Sequence, residues 1–327
     1  MELSKRALSI SPSSTLVIDA KAKKMRLEGV DVVGFGAGEP DFDTPEHIKE
    51  AAVKAIKEGF TKYTPASGML ELKEAVCRKL KKDNGLEYKL ENIVISNGAK
   101  HSLANIFQAI CNPGDEVIIP CPCWVSYPEM IKMASGKPIR LKATEEEGFK
   151  PSIDKFLGAI TEKTKAIIIN SPSNPTGMVY TEEELREIAK IAVEKKIYII
   201  SDEIYEKLIY DNLKHVSIAS FNEEIKDLTI LVNGVSKSYS MTGWRIGYTA
   251  SNEKIADVMT NIQSHFTSNP NSIAQKAALA ALDGNDDIID AMISEFVKRR
   301  DYMVDRINSI EGISCIKPNG AFYVMMN

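Results

Sequence analysis

Apolar residues in this chain come in short unbroken runs, separated by longer stretches where they recur at helical spacing. An unbroken apolar run bounded by turn residues is the mark of a strand covered on both faces, as in a parallel sheet. Such runs predict strands over Asn92–Ser96, Glu116–Pro120, Lys165–Asn170, Ile197–Asp202 and Thr229–Asn233. The stretches between them predict helices. Thr181 with Glu184 three positions on forms a capping box, which predicts a helix from there to about Lys196. Asp286 to Ile310 is long, charged and periodic, and predicts a helix leaving the sheet. Asp31–Gly36 reads as one further strand and the tail Gly312–Val324 as two short ones. The alternation predicts an α/β fold, a mostly parallel sheet flanked by helices. Residues 46–285 are expected to form a large domain, with 1–45 and 286–327 meeting in a small one.

Length fits that division, because 327 residues exceed what one core ordinarily serves. A net charge of −4 provides no basic field for nucleic acid and no polybasic patch for a membrane. Runs such as Ala166–Ile169 are too short to cross a bilayer, and the opening Met1-Glu-Leu-Ser-Lys-Arg6 lacks the apolar stretch of a secretory signal. Five cysteines, Cys77, Cys111, Cys121, Cys123 and Cys315, are odd in number and irregularly spaced, with no neighbouring histidine to complete a metal site. They read as reduced thiols, and the expected location is the cytoplasm.

Candidate chemistry gathers where predicted strands end, which is where open α/β sheets carry their ligands. Gly234-Val-Ser-Lys-Ser-Tyr-Ser-Met-Thr-Gly-Trp-Arg-Ile-Gly247 places Lys237 just beyond a strand. A lysine partly withdrawn from water there loses proton affinity and gains a nucleophilic amine. Ser236 and Arg245 flank it with a hydroxyl and a planar guanidinium, both suited to a phosphate dianion. Ser201-Asp-Glu-Ile-Tyr205 closes another strand, where Asp202 could equally cap a following helix. Ser171-Pro-Ser-Asn-Pro-Thr-Gly177 is a rigid turn exposing Asn174. Ser96-Asn-Gly-Ala-Lys100 opens a helix, so the free N–H groups of Ala99 and Lys100 suit an anion. Trp124, in Cys121-Pro-Cys-Trp-Val-Ser-Tyr127, reads alone as either a core residue or a stacking surface.

The fourteen-residue lysine segment resembles, position for position, the cofactor-attachment signature of class I pyridoxal-phosphate-dependent aminotransferases. From about Ser11 onward the other motifs follow in that family's order. Ala37-Gly-Glu-Pro-Asp-Phe-Asp-Thr-Pro45 and Val125-Ser-Tyr-Pro-Glu129 are closest to its bacterial aspartate aminotransferases. The resemblance implies a fold-type-I transferase in which Lys237 holds pyridoxal 5'-phosphate as a Schiff base and then serves as general base and acid. It implies that Asp202 pairs with the ring nitrogen and that Tyr205 and Asn174 bond the phenolate oxygen. Trp124 would stack on the ring, with Ala99, Lys100, Ser236 and Arg245 on the phosphate. Tyr63, in Tyr63-Thr-Pro-Ala-Ser-Gly68, would reach the neighbouring subunit's phosphate, which implies a homodimer. Gly38, Trp124 and Asn174 would meet the substrate. The implied reaction moves an amino group from an amino acid, aspartate first, to a 2-oxo acid, 2-oxoglutarate first, with no metal.

Two features qualify that expectation. Gly34-Phe-Gly-Ala-Gly38 imitates a dinucleotide loop, but Glu39-Pro40 stands where the helix should begin. The segment ending at Asn327 resembles a family strand after which other members continue for several dozen residues. That stretch completes the small domain and supplies the arginine for the substrate α-carboxylate, so the small domain is expected to be incomplete. Other fold-type-I activities, such as a β-lyase or a decarboxylating relative, share the same lysine, aspartate and asparagine. A catalytically incomplete cofactor-binding fragment is the remaining alternative.

Overall fold

A computed structural model describes residues 2–36 and 38–327. Among them the helices are α1 (Lys5–Leu8), α2 (Ser14–Leu27), α3 (Glu46–Lys57), α4 (Leu70–Asn84), α5 (Ala99–Ile110), α6 (Ser126–Met133), α7 (Ile153–Ala159), α8 (Glu182–Lys195), α9 (Glu223–Leu228), α10 (Glu253–Phe266), α11 (Ser272–Asp283) and α12 (Asp287–Asn308). The strands are β1 (Ile93–Ser96), β2 (Glu116–Cys121), β3 (Lys137–Lys142), β4 (Thr164–Asn170), β5 (Tyr198–Asp202), β6 (Thr229–Gly234) and β7 (Gly247–Ala250). They form one sheet in the order β1-β7-β6-β5-β4-β2-β3.

Only β7 runs against its neighbours, β1 and β6, so the other six strands point one way and share a carboxyl edge. Side chains along the strands alternate between two cores, as the strand period of two requires. Val94, Ile168, Ile200 and Val232 pack with Leu103 and Phe107 of α5 and Ile131 of α6. Their neighbours Ile167 and Ile199 pack with Leu185 and Ile188 of α8, while Ile95 and Leu231 pack with α4 and α11 residues such as Leu72 and Ala277. Both faces are therefore dry, which is why these strands read as unbroken apolar runs. Edge strand β3 carries Lys137, Arg140 and Lys142, charges that discourage pairing with another sheet.

The capping box at α8 is present, with Thr181 Oγ1 accepting from Glu184 N and Glu184 Oε2 accepting from Thr181 N. Helix α12 spans Asp287–Asn308, close to its expected range. Two expectations fail. Residues 31–36 form no strand, because no second strand lies alongside them among the described residues; Arg26 Nε of α2 donates to Val32 O at 3.0 Å instead. Residues 312–324 form only isolated bridges, Ile209 with Gly320 and Cys315 with Met326. The tail's amides are satisfied by loops rather than by a ladder. Asn319 N and Gly320 N both donate to Gly177 O, and Ala321 N donates to Leu208 O. Arg300 of α12, 5 % exposed, grips Asp211 through two bonds of 2.7 and 2.8 Å and donates to Pro318 O. The tail is thus fastened over the loop that follows β4.

Candidate active site

Five strand ends meet at a cleft of ≈ 640 Å³ on the carboxyl edge of the sheet. After β6 comes Lys237, after β5 Tyr205, after β4 Asn174, after β2 Trp124, and after β1 the start of α5 with Ala99 and Lys100; Asp202 ends β5 itself. Ser236, Arg245 and Gly38 also line the cleft.

The parity of β5 directs Asp202 to the face covered by α5 and α6, the same side as Ile200. There Tyr127, buried on α6, donates its hydroxyl to Asp202 Oδ2 at 2.6 Å, and Ile204 N donates to Oδ1 at 3.3 Å. Burial raises the Asp202 carboxyl from 3.8 to about 6, against the lowering effect of the Tyr127 hydrogen bond. Asn170, paired across the ladder with Asp202, donates its side-chain amide to Asp202 O at 3.0 Å. Its side-chain oxygen accepts from Asn174 N at 2.8 Å, which fixes the turn after β4.

Lys237 reaches into the cleft and donates its ammonium to Gly38 O at 2.5 Å. Its Nζ stands 5.8 Å from the ring centre of Tyr205 and 5.5 Å from that of Phe322. Burial lowers its affinity for a proton from 10.5 to about 8, helped by Arg245 and Lys100 and opposed by Glu39 and Asp202. The Tyr205 hydroxyl shares a hydrogen bond of 2.7 Å with that of Tyr323, which also accepts from Asn174 Nδ2 at 3.3 Å. Tyr205 is buried and its hydroxyl is held well above its ordinary range, mainly by loss of water.

The start of α5 faces Arg245. Gly98 has φ +85, and a Cβ there would lie 2.3 Å from an Arg245 guanidinium nitrogen, so only glycine allows this approach. Arg245 donates to Thr242 O at 2.9 Å and to Asn97 O at 3.3 Å, which leaves donors to spare beside the first N–H groups of α5. Lys100 places its ammonium 4.9 Å from the centre of the Trp124 ring, which stands perpendicular to the Tyr127 ring with their centres 5.3 Å apart. Gly38 is a second close approach, since a Cβ would sit 2.5 Å from the Tyr323 hydroxyl.

The expected residues thus converge, except Tyr63, which is 89 % exposed and apart from the cleft. Tyr127 and Tyr323, which also line the cleft, have no role assigned from sequence. Tyr127 was legible as an aromatic on the apolar stripe of a short helix; a buried hydroxyl on such a stripe requires a partner. Tyr323 stands in a tail whose fastening no local pattern announces. Among the described residues, Glu203, Glu206 and His215 also cluster, on the far side of the same turn. That cluster is closed internally: Lys79 bonds Glu206, and His215 and Ser217 bond Glu203.

None of the described helices is long and apolar enough to cross a membrane. The family model for aminotransferase class I and II matches residues 30–327. An aspartate aminotransferase of Bacillus sp. (strain YM-2) is 53 % identical over 323 residues, covering 99 % of this chain and 82 % of its own length. Among solved structures, the aspartate aminotransferase of Rhizobium meliloti superposes with a TM-score of 0.97 at 41 % identity, covering 100 % of this chain and 82 % of that one. The aspartate aminotransferase of Thermus thermophilus with maleate gives 0.96 at 43 %, covering 100 % and 85 %.

Proposed function

The chain belongs to the class I and II aminotransferases, and from that premise we propose that it transfers the amino group of aspartate to 2-oxoglutarate, using pyridoxal 5'-phosphate bound in the cleft. The observation that carries this reading is the convergence in one cleft of the half-buried Lys237 amine, the buried Asp202 carboxylate and the Arg245 guanidinium beside the start of α5.

The donor set fits that cofactor at each of its polar points. A phosphate dianion is matched by the N–H groups of Ala99 and Lys100 at the start of α5, the Ser236 hydroxyl and the Arg245 guanidinium. A ring nitrogen is matched by Asp202, and a phenolate oxygen by the Tyr205 hydroxyl and the Asn174 amide. When bound, pyridoxal phosphate supplies an aromatic aldehyde and a cationic ring that draws the electron pair from the substrate Cα.

The residues then have distinct tasks. Asp202, kept acceptor-only by the Tyr127 hydroxyl, holds the proton on the ring nitrogen, because an adjacent negative charge favours the charged ring. Lys237 would hold the cofactor through its amine, and the same amine would serve as general base and acid for the proton on the substrate Cα. An amine near its own pKa at working pH can do both, since neither protonation state is scarce. Trp124, which lines the cleft, would cover a face of the bound ring, and Gly38 would present its backbone to the substrate. Tyr63, exposed in the single chain, serves a second subunit's phosphate, so the working form is a homodimer in the cytoplasm.

The test is an amino-donor panel on the purified protein together with its Lys237→Ala variant. Aspartate with 2-oxoglutarate should yield glutamate and oxaloacetate. The variant should lose the near-visible absorbance of covalently held cofactor along with turnover. A band retained in the variant, or no transfer from any donor, overturns the proposal.

A further inference from the structure

Beyond the residues that serve transfer, the loop carrying Trp124 holds a pair of thiols with no part in that chemistry. Cys121 ends β2 and Cys123 follows two residues later, and their sulfurs stand 3.6 Å apart. Both are free and partly exposed. Closing that gap to a disulfide of about 2.05 Å needs a shift of about 1.5 Å, and because the ring so closed contains the backbone of Cys121, Pro122 and Cys123, part of that shift is taken up by the backbone. We propose that Cys121 and Cys123 form a modification site, oxidised to an intramolecular disulfide by small anionic disulfides, and that closing the bond displaces Trp124 from the cleft.

Three observations carry the proposal. The thiols open onto a second groove of ≈ 690 Å³, outside the cofactor cleft, lined also by Arg140 and Lys142. Lys142 lies directly across the β2–β3 ladder from Cys121, so the mouth of the groove is cationic and suits a disulfide bearing carboxylates. Glu129, the acid in that groove, already accepts from Lys132 at 2.9 Å and from Ser11 N at 2.9 Å. Second, the two sulfurs are unequal. The thiol of Cys121 is lowered by its hydrogen bond with Cys123 and by Arg140 and Lys142, against the effect of burial, while that of Cys123 is raised. Cys121, which stands opposite Lys142 in the cationic groove, is therefore the attacking thiolate and Cys123 the resolving thiol. Third, Cys123 lines the cofactor cleft as well as the groove and is bonded directly to Trp124. Movement of its backbone passes to the indole held between Lys100 and Tyr127.

The chemistry balances with the small disulfide as oxidant. The Cys121 thiolate attacks one sulfur of RSSR, forming a mixed disulfide and releasing RS⁻. Cys123 then loses its proton and attacks the Cys121 sulfur, forming the internal bond and releasing the second RS⁻. The protein loses two electrons and two protons, and two thiols are produced. The thiol chemistry is independent of the aminotransferase reading; its effect on turnover rests on it.

The experiment treats the holoprotein with glutathione disulfide and reads intact mass and the number of thiols after denaturation. The count should fall from five by two, with the mass lower by two hydrogens. Cys123→Ser should instead trap one glutathione on Cys121, and Cys121→Ser should acquire neither modification. A count that stays at five, or a loss of thiols that persists in Cys121→Ser, overturns the site. Oxidised protein should lose at least about tenfold in aminotransferase activity, the scale expected when a reacting group is misplaced by about 1 Å. Dithiothreitol should restore it, and Cys121→Ser should keep full activity throughout. Should the reduced protein transfer no amino group, tryptophan emission in a Trp244→Phe background reads the displacement of Trp124 directly. Disulfide formation with neither an activity loss nor an emission change overturns the coupling.

Discussion

Replacing Tyr127 by Phe removes one hydroxyl, and its predicted consequences follow from a single hydrogen bond. That hydroxyl donates to Asp202 Oδ2 at 2.6 Å inside a buried site, and among the described residues the carboxylate's other hydrogen bond comes from Ile204 N at 3.3 Å. A hydrogen bond to a charged acceptor contributes about 1.5–3 kcal/mol, which equals about one to two pKa units. Asp202, already at about 6, should therefore move to between about 7 and 8 in the variant. At pH 7 its ionised fraction would drop from about 90 % to between about 50 % and 10 %. Because a cationic ring is held only by the ionised carboxylate, the affinity of the cofactor-free protein for pyridoxal phosphate should follow that titration. Measured across pH, the acidic limb of the affinity profile should shift upward by about one to two units, with the two proteins converging above about pH 9.

The same shift has a signature in stability. The Asp202 carboxyl is raised on folding from 3.8 to about 6, so between those values the folded state binds more protons than the unfolded one. Its contribution to stability thus falls as pH rises through that window, and a cost of about 3 kcal/mol is fully present above it. In Tyr127→Phe the window extends to about 7–8 and the cost grows by the worth of the lost bond. The variant should therefore unfold at lower denaturant than the parent at pH 8, and at nearly the same denaturant at about pH 5. An affinity profile that does not move would mean that the Tyr127 hydroxyl does not hold Asp202 ionised, and the assignment of both residues would fall with it.

The strands that bind this site were legible because each is buried on both faces. Apolar runs at Ile93–Ser96 and Tyr198–Asp202 have no polar interruption, and polar residues resume only where the backbone emerges at the cleft. That switch marks the position of Asp202, Lys237 and Asn174. Strand β3 was not anticipated because an edge strand faces water; its Lys137, Arg140 and Lys142 erase the apolar signal. Strand β7 was hidden for a different reason. Its four residues, Gly247–Ala250, follow the lysine segment so closely that local pattern gives no boundary, and its antiparallel course is set by pairing with β1 and β6. Residues 31–36 show the converse: Val32, Val33 and Phe35 favour extended backbone, but strand structure needs a neighbour to accept its hydrogen bonds. Tyr323 depends wholly on tertiary contacts, since Gly177 and Leu208, far away in sequence, receive the amides that bring it beside Asn174.

Two further substitutions separate local stability from the site itself. Thr181→Ala removes the cap of α8, far from the cleft, and should cost about 1 kcal/mol in denaturant unfolding while leaving turnover unchanged; an unmoved midpoint would show that the capping box contributes nothing. Gly98→Ala acts on the phosphate end, because φ +85 strains any side chain and the new methyl would occupy the position of an Arg245 nitrogen, 2.3 Å away. The backbone strain should cost on the order of 1–3 kcal/mol, and the guanidinium must swing away from the start of α5. Cofactor affinity should then fall by at least about tenfold, the worth of one charge-assisted hydrogen bond, and a titration of the cofactor-free variant reads that loss separately from its unfolding midpoint. Stability lost with affinity retained would mean that Arg245 binds no phosphate and that the anion rests on the helix start alone.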